Sequence, residues 1–274
     1  AYDRISWSFL ERILKEIPLP DGLVKLIMTC VRSARINVLW NGGKTEDFCP
    51  SRGIRQGDPL SPYLFVIAME KLTHIISTTV QGGLFKPMKV GKDGPIISHL
   101  AFADDLMFFM EAKEEQMDVL LKCLKLFEEV SSEKLSVEKT SVFFSKNTSE
   151  EVISRILQRS GFNQVKNIGR YLGVMMQHGR ASRDQYAGIM ENIRGKLNAW
   201  HRQCFSQAGR ITLSQSVLAS IPLFQMQSQK IPSSICLEIE RLQRGFIWGD
   251  KVHKRGFHAI KWETITLPKD NGGL

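Results

Sequence analysis

Ser98-His99-Leu100-Ala101-Phe102-Ala103-Asp104-Asp105-Leu106-Met107-Phe108-Phe109 is the stretch on which the fold turns. Two adjacent carboxylates stand between two short apolar runs. Runs of this length, rich in aromatic and aliphatic residues, read as strands. The pattern predicts a mostly buried hairpin over 97–110 whose tip carries Asp104 and Asp105. Two anions held together there repel each other and are costly to desolvate, and a divalent cation would relieve both costs. Aspartate also favours turns in its own right, so a bare Asp-Asp is far more often a plain turn. The apolar flanks weigh against that, and so does a second motif upstream.

That second motif is Ser51-Arg52-Gly53-Ile54-Arg55-Gln56-Gly57-Asp58-Pro59-Leu60-Ser61-Pro62, leading into a helix from Tyr63 to Thr79. Glycines let a backbone come close to a ligand, and arginines beside a helix N-terminus favour an anion. The loop suits a phosphate or a nucleotide. Taken alone, the Gly53–Gly57 spacing serves equally as an ordinary strand-to-helix connection.

Outward from these motifs, apolar residues at helical spacing predict a first helix through Ile5, Phe9, Leu10, Ile13, Leu14 and Ile17, stopped by Pro18 and Pro20. A second helix runs through Val24 and Met28 to Val31. Residues 35–40 alternate as a strand does, Asn41-Gly42 is a two-residue hairpin turn, and a return strand spans Thr45 to Cys49. Beyond the carboxylate hairpin come a charged helix from Lys113 to Val130, a strand over Ser141–Ser145, and a helix capped by Thr148 or Ser149. A strand-like stretch at Tyr171–Met176 precedes helices over 182–201, 207–220 and 233–247. Strands and helices alternate first and helices dominate later. The fold class is therefore α+β, followed by a mainly helical part.

The chain has 274 residues and a net charge of +9, which is unevenly placed. Residues 1–112 carry 13 Lys and Arg against 12 Asp and Glu, and residues 113–150 carry 6 against 8. Residues 151–274 carry 18 against 8, so the excess lies in the C-terminal half. A basic segment beside a near-neutral one suits a grip on a polyanion next to a separate chemical centre. It serves equally as a solvated basic surface. No apolar run reaches the roughly 18 residues of a membrane span. The five cysteines are widely spread and contain no C-x-x-C, which argues against a disulfide framework and for a reducing compartment. His201-x-x-Cys204 is an isolated pair, short of the four ligands a zinc site needs. Both ends of the sequence read as cut edges.

The residues from Ser51 to Phe65 resemble the R-G-x-R-Q-G-x-P-L-S-P-x-L-F signature of reverse transcriptases from LINE-type, non-LTR retrotransposons. Ala101–Asp105 resembles the A-F-A-D-D form of their catalytic hairpin, and Ala1-Tyr2-Asp3-Arg4-Ile5-Ser6-Trp7 resembles the end of their first palm motif. Glu138-Lys139-Thr140 with Phe143-Phe144-Ser145 is similar to a later palm motif that carries a lysine. Tyr171-Leu172-Gly173-Val174 with His178-Gly179-Arg180 is similar to the palm–thumb junction. Ala208-Gly209-Arg210 and Phe246-Ile247-Trp248-Gly249 resemble the downstream region of plant-type elements.

This resemblance implies a reverse-transcriptase-like palm, an antiparallel sheet with helices on one face, followed by a helical thumb. The implied divisions are a partial, N-terminally truncated palm over 1–147, a palm–thumb junction and thumb over 148–232, and a C-terminal helix and linker over 233–274. It implies two-metal nucleotidyl transfer with Mg²⁺, an RNA template, a DNA primer and deoxynucleoside triphosphates, and no membrane. Asp104 and Asp105 become the metal ligands and catalytic carboxylates, and Lys139 a group that approaches the triphosphate and acts as general acid. Tyr2, Arg55, Gln56 and Gly57 line the incoming nucleotide and template base, while Arg180, Arg183, Lys196 and Arg210 bind nucleic acid. Core packing is an equal reading for Tyr2, and a plain surface lysine for Lys139. The family's other metal-binding aspartate falls four residues before Ala1, outside this chain. Asp3 matches a later, structural aspartate of that motif. The metal site is thus incomplete here, and the isolated chain is expected to be inactive. A non-catalytic nucleic-acid-binding relic of a transposon is the alternative, and a metal-dependent phosphotransferase of another class a weaker third. An intracellular location follows, as a nuclear or cytoplasmic ribonucleoprotein.

Overall fold

The computed structural model describes residues 2–176, 183–200, 205–250 and 257–273. Arg180, Arg202 and the His201–Cys204 pair lie outside the described residues. The chain divides into two compact units, Ala1–Lys166 and Asn167–Leu274.

The first unit is built on helices. α1 (Trp7–Glu16) buries Phe9, Leu10, Ile13 and Leu14, and α2 (Asp21–Arg32) buries Val24 and Met28. Pro18 and Pro20 separate them: α1 stops before Pro18, and α2 starts directly after Pro20. α3 (Ser61–Gln81) has Pro62 in its first turn, where the missing N–H costs nothing. It buries Leu64, Phe65, Ala68, Leu72 and Ile76 at i, i+4 spacing. α4 (Glu114–Ser131) adds Met117, Leu120, Cys123, Leu124 and Phe127 to the same core. α4 ends on Ser132, a non-glycine residue in the left-handed region at φ +65°.

Between these helices lie short strand pairs. β1 (Leu39–Trp40) and β2 (Gly43–Lys44) join through Asn41-Gly42, both at positive φ, the expected turn. The strands on either side are shorter than the sequence pattern predicts, with a single bridge between Ile36 and Phe48 below them. β3 (Met88–Lys89) pairs with β4 (Ile96–Ile97), a hairpin the sequence reading did not contain. β5 (His99–Phe102) pairs antiparallel with β6 (Asp105–Phe108). β7 (Ser141–Val142), α5 (Glu150–Ser160) and β8 (Asn163–Gln164) form a crossover unit in which the two strands are parallel.

Among the described residues every ladder is two-stranded, so the expected continuous antiparallel sheet is not formed. The architecture is mixed, helices with small strand pairs. The β3–β4 and β5–β6 hairpins are joined by an isolated antiparallel bridge between Pro87 and Met110, with Glu111 N–H donating to the Lys86 carbonyl at 3.3 Å; Pro87 itself has no N–H to give to a longer ladder.

The second unit opens with β9 (Arg170–Tyr171) and β10 (Val174–Met175). The strand-like run at 171–176 is in fact a hairpin, because Leu172 and Gly173 turn at φ +50° and +81°. After a 3₁₀ turn (Arg183–Tyr186) come α6 (Ala187–Ala199), α7 (Gln207–Leu213) and α8 (Ser220–Met226). A π-turn at Ser214–Leu218 joins α7 to α8 where the pattern predicted one helix over 207–220. It places Pro222 in the first turn of a new helix, where its ring does not collide with a preceding carbonyl. α9 (Ser233–Trp248) and the short α10 (Trp262–Ile265) follow. Ile193, Leu218, Ile235 and Phe246 centre a separate core.

Candidate active site

The glycine loop is fixed to the start of the chain. Gly53 N–H donates to the Ile5 carbonyl at 2.8 Å, and Ile54 N–H to the Tyr2 carbonyl at 2.8 Å. Trp7 Nε1–H donates to the Gly53 carbonyl at 2.7 Å. Gly53 lies at φ +86°, and a Cβ there would stand 2.8 Å from the Asp3 carbonyl oxygen. The glycine is thus demanded twice, by dihedral and by space. Tyr2 stacks on Phe65 of α3, ring centroids 4.9 Å apart and planes 11° off parallel.

Beyond this anchor the loop opens to solvent. Arg55, Gln56 and Gly57 are exposed. Gly57 sits at φ +89° with nothing within 4 Å of where a Cβ would be. Asp58 closes the loop onto α3, accepting from Leu60 N–H at 2.9 Å.

The carboxylate hairpin differs from its sequence reading in two ways. Phe102 pairs with Asp105, so the two-residue turn is Ala103-Asp104 and Asp105 is the first residue of β6. Ala103 is held at φ +50°, a position hairpins normally give to glycine. The hairpin is also not mostly buried. Asp104, Asp105 and all of β5 beyond His99 are exposed, including Phe102 at 62%. A pair of strands covers one face only. Leu106 and Phe108 pack on the helical core, while Leu100 and Phe102 face out. Exposure removes the desolvation cost on which a buried pair of aspartates would depend. Mutual repulsion is what is left of that reasoning.

His99 secures the base of the hairpin. Its ring hydrogen-bonds Ser98 Oγ at 2.9 Å through Nδ1 and Thr73 Oγ1 of α3 at 3.3 Å through Nε2. Burial holds its pKa below the ordinary histidine value. Glu133, just past the end of α4, was not singled out by sequence. Burial raises its carboxyl pKa, with the charges of Arg4, Asp3 and Asp104 acting on it as well. Its Oε1 is buried without a hydrogen-bond partner. Ser6 N–H donates to the Ser131 carbonyl at 2.9 Å, tying this corner to α1. Tyr2 and Asp3 thus contact the glycine loop, and Asp3 and Asp104 both act on Glu133. No sequence signal marks Glu133, which reads as one more charge after a helix.

Lys139 is exposed in a turn, its N–H donating to the Ser136 carbonyl at 3.1 Å. Among the described residues no three His, Cys, Asp or Glu side chains come close enough together to hold a metal ion.

In the second unit the basic residues divide. Glu238 of α9 accepts from both Arg183 (3.0 Å) and Arg194 (2.8 Å), bracing α6 and the 3₁₀ turn before it against α9. Arg210 is half-buried with its guanidinium against Gly249, just past the C-terminus of α9, where a cation complements the helix dipole. Lys196 is exposed in the last turn of α6.

A glycine loop leading into a helix and a hairpin that ends in adjacent carboxylates are both elements suited to handling phosphates and their metal ions. The family model described as reverse transcriptase (RNA-dependent DNA polymerase) matches residues 1–176, and the chain belongs to that family. It is 35% identical over 95 residues to a putative ribonuclease H protein of Arabidopsis thaliana, covering 35% of this chain and 15% of that protein. It is 32% identical over 113 residues to the Pol polyprotein of the type-2 retrotransposable element R2DM of Drosophila melanogaster, covering 41% of this chain and 10% of that one. Over its whole length it is 22% identical to an uncharacterized 149 kDa protein of transposon TX1 of Xenopus laevis, 20% of which is covered. The chain thus spans a fifth or less of each of these three relatives. Its likeness to non-LTR retrotransposon proteins, read first from the motifs, agrees with these matches.

Proposed function

We propose that the chain is the palm and thumb part of an RNA-directed DNA polymerase from a plant-type non-LTR retrotransposon. The palm would span 1–147, the junction and thumb 148–232, and a C-terminal helix with linker 233–274. The observation that carries this reading is the attachment of the glycine loop to the Tyr2 segment by paired backbone hydrogen bonds, with Asp3 of that segment and Asp104 of the hairpin both acting electrostatically on the half-buried Glu133.

In this reading Arg55, Gln56 and Gly57 receive the incoming nucleotide, and the open space above Gly57 lets the backbone approach it. Tyr2, set on Phe65, supplies a rigid aromatic surface beneath the sugar. Lys139 serves the triphosphate, and Arg180, Arg183, Lys196 and Arg210 serve the template–primer. Asp104 and Asp105 offer hard oxygen donors of the kind Mg²⁺ takes, with waters and substrate phosphates filling its other positions. The bound metal would stabilise charge on the attacking and leaving oxygens. With two such carboxylates the set is partial, and a further carboxylate would complete it. The partners are an RNA template, a DNA primer and deoxynucleoside triphosphates, met inside the cell.

Primer extension on an RNA template tests the reading. The isolated chain is expected to extend no primer, and a protein carrying the upstream palm and fingers residues to do so with Mg²⁺. Asp104→Asn in that longer protein is expected to abolish extension while nucleic-acid binding persists. Full extension by the Asp104→Asn protein would refute the assignment. Binding without extension by the unaltered long protein would favour the relic.

A further inference from the structure

Tryptophan is seldom left in water, and Trp40 is 74% exposed at the end of the β1–β2 hairpin. Its neighbour Leu39 is 70% exposed. Both strands leading to it are held in place. Ile36 and Phe48 exchange backbone hydrogen bonds of 3.0 and 2.8 Å, Val38 N–H donates to Thr45 Oγ1 at 2.8 Å, and Asn37 Nδ2 donates to Asp47 at 2.8 Å. At its feet, Ala34 and Ile54 are buried. The indole is therefore displayed by an ordered hairpin. Its cross-strand partner is Gly43, which has no side chain to cover it.

Charge identifies what the hairpin meets. Arg35, Lys44, Arg52 and Arg55 are exposed along the hairpin and the loop that continues it, and among the described residues none of the four is in an ion pair. Against them stand Glu46 and Asp47, the second already engaged by Asn37. An aromatic face among unneutralised cations fits a single-stranded polyanion with bases to stack. Ile36, Val38 and Phe48 add exposed apolar surface to the same hairpin, but the four cations set along it weigh against a second protein copy, whose contact would keep charges away from its centre.

We propose that the hairpin over 36–48 is a single-strand platform, on which Trp40 stacks a base while Lys44 and the neighbouring arginines hold the flanking phosphates. The inference rests on the polymerase reading only in taking nucleic acid as the partner. It adds a contact outside the carboxylate site and outside every residue assigned to nucleic acid above, Arg55 excepted.

Fluorescence anisotropy of a short labelled single-stranded RNA, titrated with the full chain at several salt concentrations, tests it. Trp40→Ala is expected to weaken binding about tenfold or more without changing the salt slope, because stacking releases no counterions. Trp40→Phe should recover most of the affinity, and Lys44→Gln should reduce the slope by about 0.7. Circular dichroism of each variant checks that the fold is kept. Unchanged affinity in Trp40→Ala overturns the platform while leaving the polymerase reading intact. So does a variant whose only change, by sedimentation, is loss of a dimer. Absence of RNA binding by the unaltered chain overturns both.

Discussion

Gly53 and Gly57 share a loop and a left-handed backbone, at φ +86° and +89°, yet they answer to different demands. At Gly53 a side chain meets the Asp3 backbone, and at Gly57 it meets nothing. Left-handed strain costs an ordinary residue about 1–2 kcal/mol at either site. Only at Gly53 is a backbone collision added, together with displacement of the hydrogen bonds to Ile5 and Tyr2. Gly53→Ala is expected to destabilise the first unit by more than about 2 kcal/mol, and Gly57→Ala by about 1 kcal/mol, measured by urea denaturation. Equal losses would refute the distinction. The sequence shows both glycines but cannot rank them, because the rank depends on a carbonyl some fifty residues away in the chain. Glu133 was invisible for a similar reason. Its burial comes from the way α4 ends beside Asp3 and Arg4, and no local pattern encodes that.

Helices were legible because their signals are local. The apolar spacing of α1, α3 and α4 and the prolines before α2 are written in consecutive residues, and so is the Asn41-Gly42 turn. Strands fared worse. A two-residue ladder such as β3–β4 has too few residues for alternation to register, and the parallel partnership of β7 with β8 spans a whole helix. The carboxylate hairpin was found, but its exposure was misjudged, since a period of two does not say whether the outer face is covered. Its inner face has a consequence for pH. His99 joins β5 to Thr73 of α3, and burial lowers its pKa. The folded state thus prefers the neutral ring and the unfolded chain takes up the proton more readily. Stability associated with His99 is present above the ordinary pKa of 6.5 and is lost as pH falls through the lower folded value. Amide exchange in β5 and β6 is expected to quicken as pH drops below that range, after correction for intrinsic rates, and His99→Gln to remove this dependence. A pH profile identical in the variant and the unaltered chain would exclude His99 as its source.

At the scale of the whole chain, composition located the basic excess but not its employment. Part of it makes contacts within the second unit, Arg183 and Arg194 with Glu238 and Arg210 with the end of α9, and the Arg183 side chain stays 72% exposed. These contacts stabilise the second unit around its own core of Ile193, Leu218, Ile235 and Phe246. The first unit is centred on α1, α3 and α4, with Phe65 fully buried. Where each unit has a core of its own, a cavity in one acts first on the elements that line it. Removing a buried phenylalanine costs about 3–5 kcal/mol. Phe246→Ala is therefore expected to raise amide exchange throughout α6 and α9 while α1, α3 and α4 keep their protection, and Phe65→Ala to do the reverse. Hydrogen-exchange mass spectrometry on the full chain reads both at once. Loss of protection in all five helices from either single change would mean that the two cores unfold as one, and that the basic helices are ordered only through the unit that carries the carboxylate hairpin.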